Sequence, residues 1–296
     1  MTNAFLPSRY LERVQRGAVA LQLWDGARDA RLRDALDVLI EHEHKLEPQW
    51  ARLEAPGRPD DVDPDHGWYR FPKRRTDLHA LLYPTPRPSK PKTSLEVRIF
   101  DRRWRYSPRR VDVPVPADFD PDFEKRPRVR LRIRRTALYP GPAYGVMSGS
   151  TGIRGRVTLG GVPVRWARAR VAAAVDEDPP IAVAYGDDRG EFLLIVPGAR
   201  STLSGSTGTF QLSVEVSTPP QPSAAMLKAI ARDPLADLAM EPMDAAVEIH
   251  DPHHGPIFER PDPKAMGWTW PAAYSVAETR TVTFTAGTIH RERFEL

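Results

Sequence analysis

The chain has 296 residues, a formal net charge of +4, 41% hydrophobic and 28% charged residues, 31 prolines and no cysteine. That length corresponds to about two domains with enough apolar residues for a buried core. The missing cysteine excludes disulfide scaffolds, thiolate nucleophiles and cysteine metal sites, and the prolines exclude long helical bundles and coiled coils.

The N-terminus, MTNAFLPSRYLERVQRG, lacks the apolar run of a signal peptide, and no stretch reaches the ~18–20 apolar residues of a membrane helix. The expectation is a chain that is cytoplasmic at synthesis, without membrane insertion. Residues 1–16 read as an N-terminal arm. Ala18, Ala20 and Leu21 to Leu23 predict a short strand ending at Trp24-Asp25-Gly26. Residues 27–44 fit two periods: Leu32, Leu36, Leu39 and Ile40 as a helical stripe, or Leu36, Val38, Ile40, His42 and His44 as one strand face. Residues 94–100 alternate Leu95, Val97 and Ile99 with polar neighbours, and 109–115 repeat this with Val111, Val113 and Val115, as half-buried strands require.

The charge is uneven. Residues 98–135 hold twelve Arg and one Lys against six acids, a local excess of seven positive charges. Within them Val129, Leu131 and Ile133 alternate with Arg128, Arg130, Arg132 and Arg134, which predicts a strand with an arginine face. The proline-rich stretches 84–92 and 116–127 read as a surface connection and an interdomain linker. Pro222-Ser223 starts a helical insertion carrying Met226, Leu227 and Ile230, and Asp233-Pro234 restarts a second short helix with Leu235 and Leu238.

Residues 151–216 order their motifs distinctively. Gly155-Arg156-Val157 opens a strand, Gly160-Gly161 turns it, Val162-Pro163-Val164 begins the return, and Ala169-Arg170-Val171 follows. Then Asp187-Asp188-Arg189-Gly190-Glu191-Phe192 leads into an apolar run, with Asp188 expected to cap its own turn, Gly190 to supply a positive φ, and Phe192, Leu194 and Val196 to share a face. This order resembles the carboxypeptidase regulatory-like domain, a small transthyretin-like β-sandwich that serves as an accessory module, and it departs from the family after Pro197-Gly198.

Residues 17–115 are similar to a diverged second copy, and this favours the strand reading of 36–44. Tyr106-Ser107-Pro108-Arg109-Arg110, closed by Pro114, ends that segment. The pairing resembles components of phage-tail-like contractile injection systems. The resemblance implies a mainly β protein of two transthyretin/prealbumin-like β-sandwich domains, at 17–116 and 128–296, joined by the linker 117–127. The helical insertion, 222–241, falls in the second domain.

Candidate chemistry is sparse. His250, Asp251, His253 and His254, with Glu259, offer imidazole and carboxylate ligands for a metal, in a loop stiffened by Pro252 and Pro256 and without a helical zinc spacing. They carry an alternative reading as a metal-dependent hydrolase. Glu41-His42-Glu43-His44 puts two His on one strand face without an identifiable third ligand. No nucleophile elbow, P-loop or dinucleotide fingerprint occurs, and Asp187-Asp188 reads as turn chemistry rather than an acid–base pair.

The Arg128, Arg130, Arg132 and Arg134 face suits an acidic or mixed protein surface first, plain solvation second and nucleic acid last. Trp268, Trp270 and Tyr274 suit a core plug, a protein-interface anchor, or sugar stacking as in a carbohydrate-binding module. The expectation is a non-catalytic structural or adaptor protein, with no cofactor, that contacts other protein subunits of a larger assembly.

Overall fold

The computed structural model describes residues 20–28, 30–32, 36–42, 49–51, 62–63, 68–70, 94–114, 131–173, 180–197, 208–243, 247–251, 255–256 and 271–296. The described part is mainly β. In chain order it opens with β1 (Ala20–Asp25), β2 (Ala30–Arg31), β3 (Asp37–His42), β4 (Gln49–Ala51), β5 (Val62–Asp63), β6 (Trp68–Arg70), β7 (Ser94–Phe100) and β8 (Arg109–Pro114). Next come β9 (Leu131–Leu138), β10 (Thr151–Leu159), β11 (Val162–Pro163), β12 (Arg168–Ala172), β13 (Ala182–Tyr185), β14 (Glu191–Val196) and β15 (Thr209–Thr218). One short helix, α1 (Ala224–Ile230), precedes β16 (Met240–Pro242), β17 (Val247–Asp251), β18 (Gly255–Pro256), β19 (Ser275–Thr285) and β20 (Ile289–Glu295).

These strands form two sheet pairs. In the first, the sheet β18-β17-β9-β1-β6-β5 faces the sheet β16-β8-β7-β3-β4. Their shared core holds Leu21 and Leu23 of β1, Val38 of β3, Val97 and Ile99 of β7, and Val111 and Val113 of β8. The period-two alternation turns these apolar residues to one face of each strand. Residues 37–42 are a strand, which bears out the strand reading of that segment. In the second pair, β10 with β11, β14 and β20 faces the sheet β13-β12-β15-β19 across a core of Ile153, Val157, Val171, Phe192, Leu194, Val214, Phe284 and Phe294.

The pairing crosses the boundary expected at 117–127. Strand β9 runs parallel to β1, from Ala20 opposite Ile133 to Asp25 opposite Leu138, and β17 pairs with its other side. Strand β16 adds to β8. Residues 131–138 and the strands β16, β17 and β18 therefore join the first sheet pair, whereas β19 and β20 join the second. Alternation tells which residues form a strand but not which distant strand it joins. The linker 117–127 and the proline-rich 84–92 lie outside the described residues.

Two glycines explain the motifs around β10 and β14. Gly155 sits opposite Phe192, and a Cβ there would lie 2.1 Å from the phenyl ring, so the ring lies over the glycine as only glycine permits. Gly190 has φ +72° in the turn before β14. That turn is capped by Asp187, not Asp188: its Oδ1 accepts the amides of Arg189 at 2.8 Å and Glu191 at 2.9 Å. Asp188 instead faces Arg165 at 3.9 Å.

Strand β14 is buried on both faces. Phe192, Leu194 and Val196 enter the second core, whereas Leu193 enters the first and Ile195 packs against it. The helical segment is shorter than expected. Ser223 caps α1 by accepting the amide of Met226, but no helix residue is buried, and residues 234–237 form turns instead of a second helix. Leu238 beyond them is buried, and no helix among the described residues is long and apolar enough to cross a membrane.

Candidate functional site

Where the two sheet pairs meet, β8, β9, β12, β13 and β16 bring charged and aromatic side chains into a sealed cluster. Arg109, Arg168 and Glu241 are 2%, 0% and 1% exposed. Arg109 donates from Nε to Glu241 Oε2 at 3.0 Å, and its Nη2 donates to the same oxygen. Its Nη1 reaches Thr136 Oγ1 at 2.8 Å and the Ala137 carbonyl. From the second pair, Arg168 Nη2 donates to Glu241 Oε1 at 2.6 Å and the Tyr185 hydroxyl donates to Oε2 at 3.1 Å. One carboxylate thus joins two arginines from different sheet pairs.

Aromatic rings pack around this centre. Tyr139 and Tyr185 stack with centroids 4.2 Å apart and planes 9° apart, and the Arg168 guanidinium lies 3.6 Å from the Tyr185 centroid, within cation–π reach. Ser107 Oγ donates to the Tyr185 carbonyl at 2.7 Å. Burial pushes the Tyr139 hydroxyl up to about 12, against the pull of Arg109, and raises Tyr185 well above the ordinary tyrosine value. Burial also disfavours the Arg109 cation, but Glu241 outweighs it and holds the guanidinium above its usual range. Arg109 stays charged and the two tyrosines stay neutral, so the cluster is built to hold elements together.

A second buried carboxylate works within the first pair. Asp25 accepts the hydroxyls of Tyr106 at 3.0 Å and Tyr144 at 2.8 Å and the amides of Ala27 and Arg28. On the outer face of the same pair, Arg98 bridges Glu41 at 3.0 Å and Asp233 at 2.7 Å, tying the turn after α1 to β7. Beside it lies a groove of about 470 Å³ lined by Leu39, Phe100, Trp104, Pro108, Pro234 and Leu235 among others. Trp104 takes φ +55° in the loop between β7 and β8, held by its amide on the Asp101 carbonyl and its own carbonyl on the Ala143 amide. Trp104 is 38% exposed and lines the groove.

The sequence candidates fall differently. Arg132 and Arg134 lie on β9, where the backbone pairs Arg132 with Ile249 and Arg134 with both Val247 and Leu21, so their strand is interior to its sheet. Arg128 and Arg130 lie outside the described residues, as do Trp268, Trp270, His253, His254 and Glu259. His250 lies on β17, its backbone opposite Leu131 and Pro256. Tyr274 is half-buried and turns inward, its hydroxyl donating to the Trp166 carbonyl at 2.9 Å. Among the described residues no three His, Asp or Glu side chains gather as a metal site would require.

Arg109, Arg168 and Glu241 are the residues that sequence reasoning missed. Arg109, in the Y-S-P-R-R string, shares the parity of Val111 and Val113 but begins the strand and carries a charge, and Arg168 alternates with alanines in an A-R-A-R-V run, so neither stands out as a buried ion-pair partner. No family model, curated protein or solved structure matches the chain.

Proposed function

We propose that the chain is a non-catalytic structural or adaptor component that binds other proteins, with its two sheet pairs acting as one rigid spacer. The Glu241 bridge between Arg109 and Arg168 carries this reading, because a sealed ion network at a joint favours a fixed geometry over hinge motion and offers no access to a substrate. The second sheet pair is read as a carboxypeptidase regulatory-like sandwich. The antiparallel pairing of its G-x-V strand with its D-x-x-G-x-F strand supports this.

Contacts with partners are assigned to aromatic and arginine side chains on the connecting loops, of which Trp104 beside the groove and Arg102, also on that loop, are examples. Together with the resemblance carried by 106–114, this points to a subunit of a phage-tail-like contractile particle. Affinity capture of the full chain from its native lysate, followed by sedimentation, tests the reading. Co-sedimentation with a high-mass assembly, weakened by Trp104→Ala, is expected. A free monomer with no captured partner overturns it.

A further inference from the structure

The ion network at the joint is unbalanced. Two guanidinium groups face one carboxylate, and the tyrosines beside them are held neutral by burial. Glu241 occupies every polar donor atom of Arg109 except Nη1, which Thr136 and Ala137 take. Arg168 spends only Nη2 on Glu241. Its Nε and Nη1 have no hydrogen-bond partner, although the residue is 0% exposed. Two residues earlier, Trp166 is 1% exposed and its Nε1 also lacks a partner.

Tyr274 touches both residues: its hydroxyl bonds the Trp166 carbonyl and its ring centroid lies 5.5 Å from the Arg168 guanidinium. Three buried nitrogen donors without a partner therefore lie within three residues of chain, two of them on the guanidinium that carries the surplus charge. A buried polar group without a partner is destabilising, and a buried unpaired charge more so. Such a group in a folded protein points to an ordered water or ion.

We propose that the Arg168 Nε and Nη1 edge, with Trp166 Nε1, binds a single small monovalent anion of the halide type, with chloride as the physiological form. A spherical anion accepts N–H donors from any direction and cancels the one surplus charge, which a water molecule does not. Full burial excludes a carboxylate or phosphate group carried by a larger partner. The ion completes the joint between the sheet pairs, so it is structural.

The test is urea unfolding of the full chain in sodium chloride against sodium gluconate at equal ionic strength, gluconate being too large for a sealed site. Linkage to one ion predicts that the folded-to-unfolded ratio rises about tenfold per tenfold rise in chloride above its dissociation constant, and stays flat in gluconate. Arg168→Met removes the surplus charge while leaving Arg109 on Glu241, and it abolishes the chloride dependence. Should that variant not fold, the wild-type protein crystallised in sodium bromide decides, with an anomalous peak expected beside Arg168 Nε. Equal stability in the two salts, chloride dependence that survives in Arg168→Met, or water without anomalous signal at that position overturns the proposal.

Discussion

Tyr139 and Tyr185 stack face to face between two arginines and a carboxylate, in a site sealed from solvent. Burial raises Tyr139 from 10 to about 12 and raises Tyr185 in the same direction, while Tyr144 on Asp25 is raised by burial and by its hydrogen bond. The folded state therefore keeps these protons at a pH where the unfolded chain releases them. Stability from this source is complete below pH 10 and falls as pH climbs from 10 through 12, because there the unfolded chain binds fewer protons. For Tyr139 alone the rise from 10 to about 12 is worth on the order of 3 kcal/mol. Urea titrations at pH 8 and at pH 11 should show a lower midpoint at the higher pH, and Tyr139→Phe should reduce that loss. A midpoint that does not move across this window contradicts the burial of these hydroxyls. None of this was legible in the sequence: an arginine between alanines on a strand looks the same whether its face meets water or another sheet, and Glu241 sits in a segment read as the end of a helical insertion.

Strands were the most legible elements, since alternation directly encodes one buried face. Val97 with Ile99 and Val111 with Val113 lie in the core, as their spacing implies. The apolar run of β14 went further than the alternation expected of it, because both of its faces are covered. The helix was legible at its start, where Ser223 caps it, but not in its packing, since none of its residues is buried and the segment is anchored beyond it by the Asp233 ion pair and by buried Leu238. Partners of β9 and β16 were hidden because pairing across a hundred residues leaves no local signature. At this scale the sharpest test is Gly155→Ala. Its Cβ would overlap the Phe192 ring, so β10 and β14 must separate or the ring must leave the core that it shares with Phe294, whose centroid is 5.8 Å away. A loss of about 1–3 kcal/mol is expected from overpacking, and Phe192→Leu in the same chain should recover part of it by vacating the space. If Gly155→Ala matches the parent in denaturant midpoint, the close approach of ring and glycine is wrong.

Across the whole molecule, the two sheet pairs are joined by three kinds of contact that fail together. Leu193 of the second pair is fully buried in the first core, Tyr139 stacks on Tyr185 across the joint, and Glu241 bridges Arg109 to Arg168. The chain itself crosses the joint more than once, since β16 and β17 return to the first pair between β15 and β19. Neither pair is closed without the segment threaded through the other, so one cooperative calorimetric transition is expected for the parent chain. Glu241→Ala leaves two buried guanidinium groups without their carboxylate and should cost about 3–5 kcal/mol, the range for breaking a buried ion pair by removing one partner. Because that loss falls at the joint, the single transition should broaden or split into two. The triple change Arg109→Met, Arg168→Met and Glu241→Leu removes every charge instead of stranding two, and it should recover most of the lost stability. Recovery in the triple variant with a single restored transition identifies the penalty as stranded charge. A Glu241→Ala protein that melts at the parent temperature in one sharp step means that the joint is held by the apolar contacts alone, and the rigid-spacer reading then loses the network that supports it.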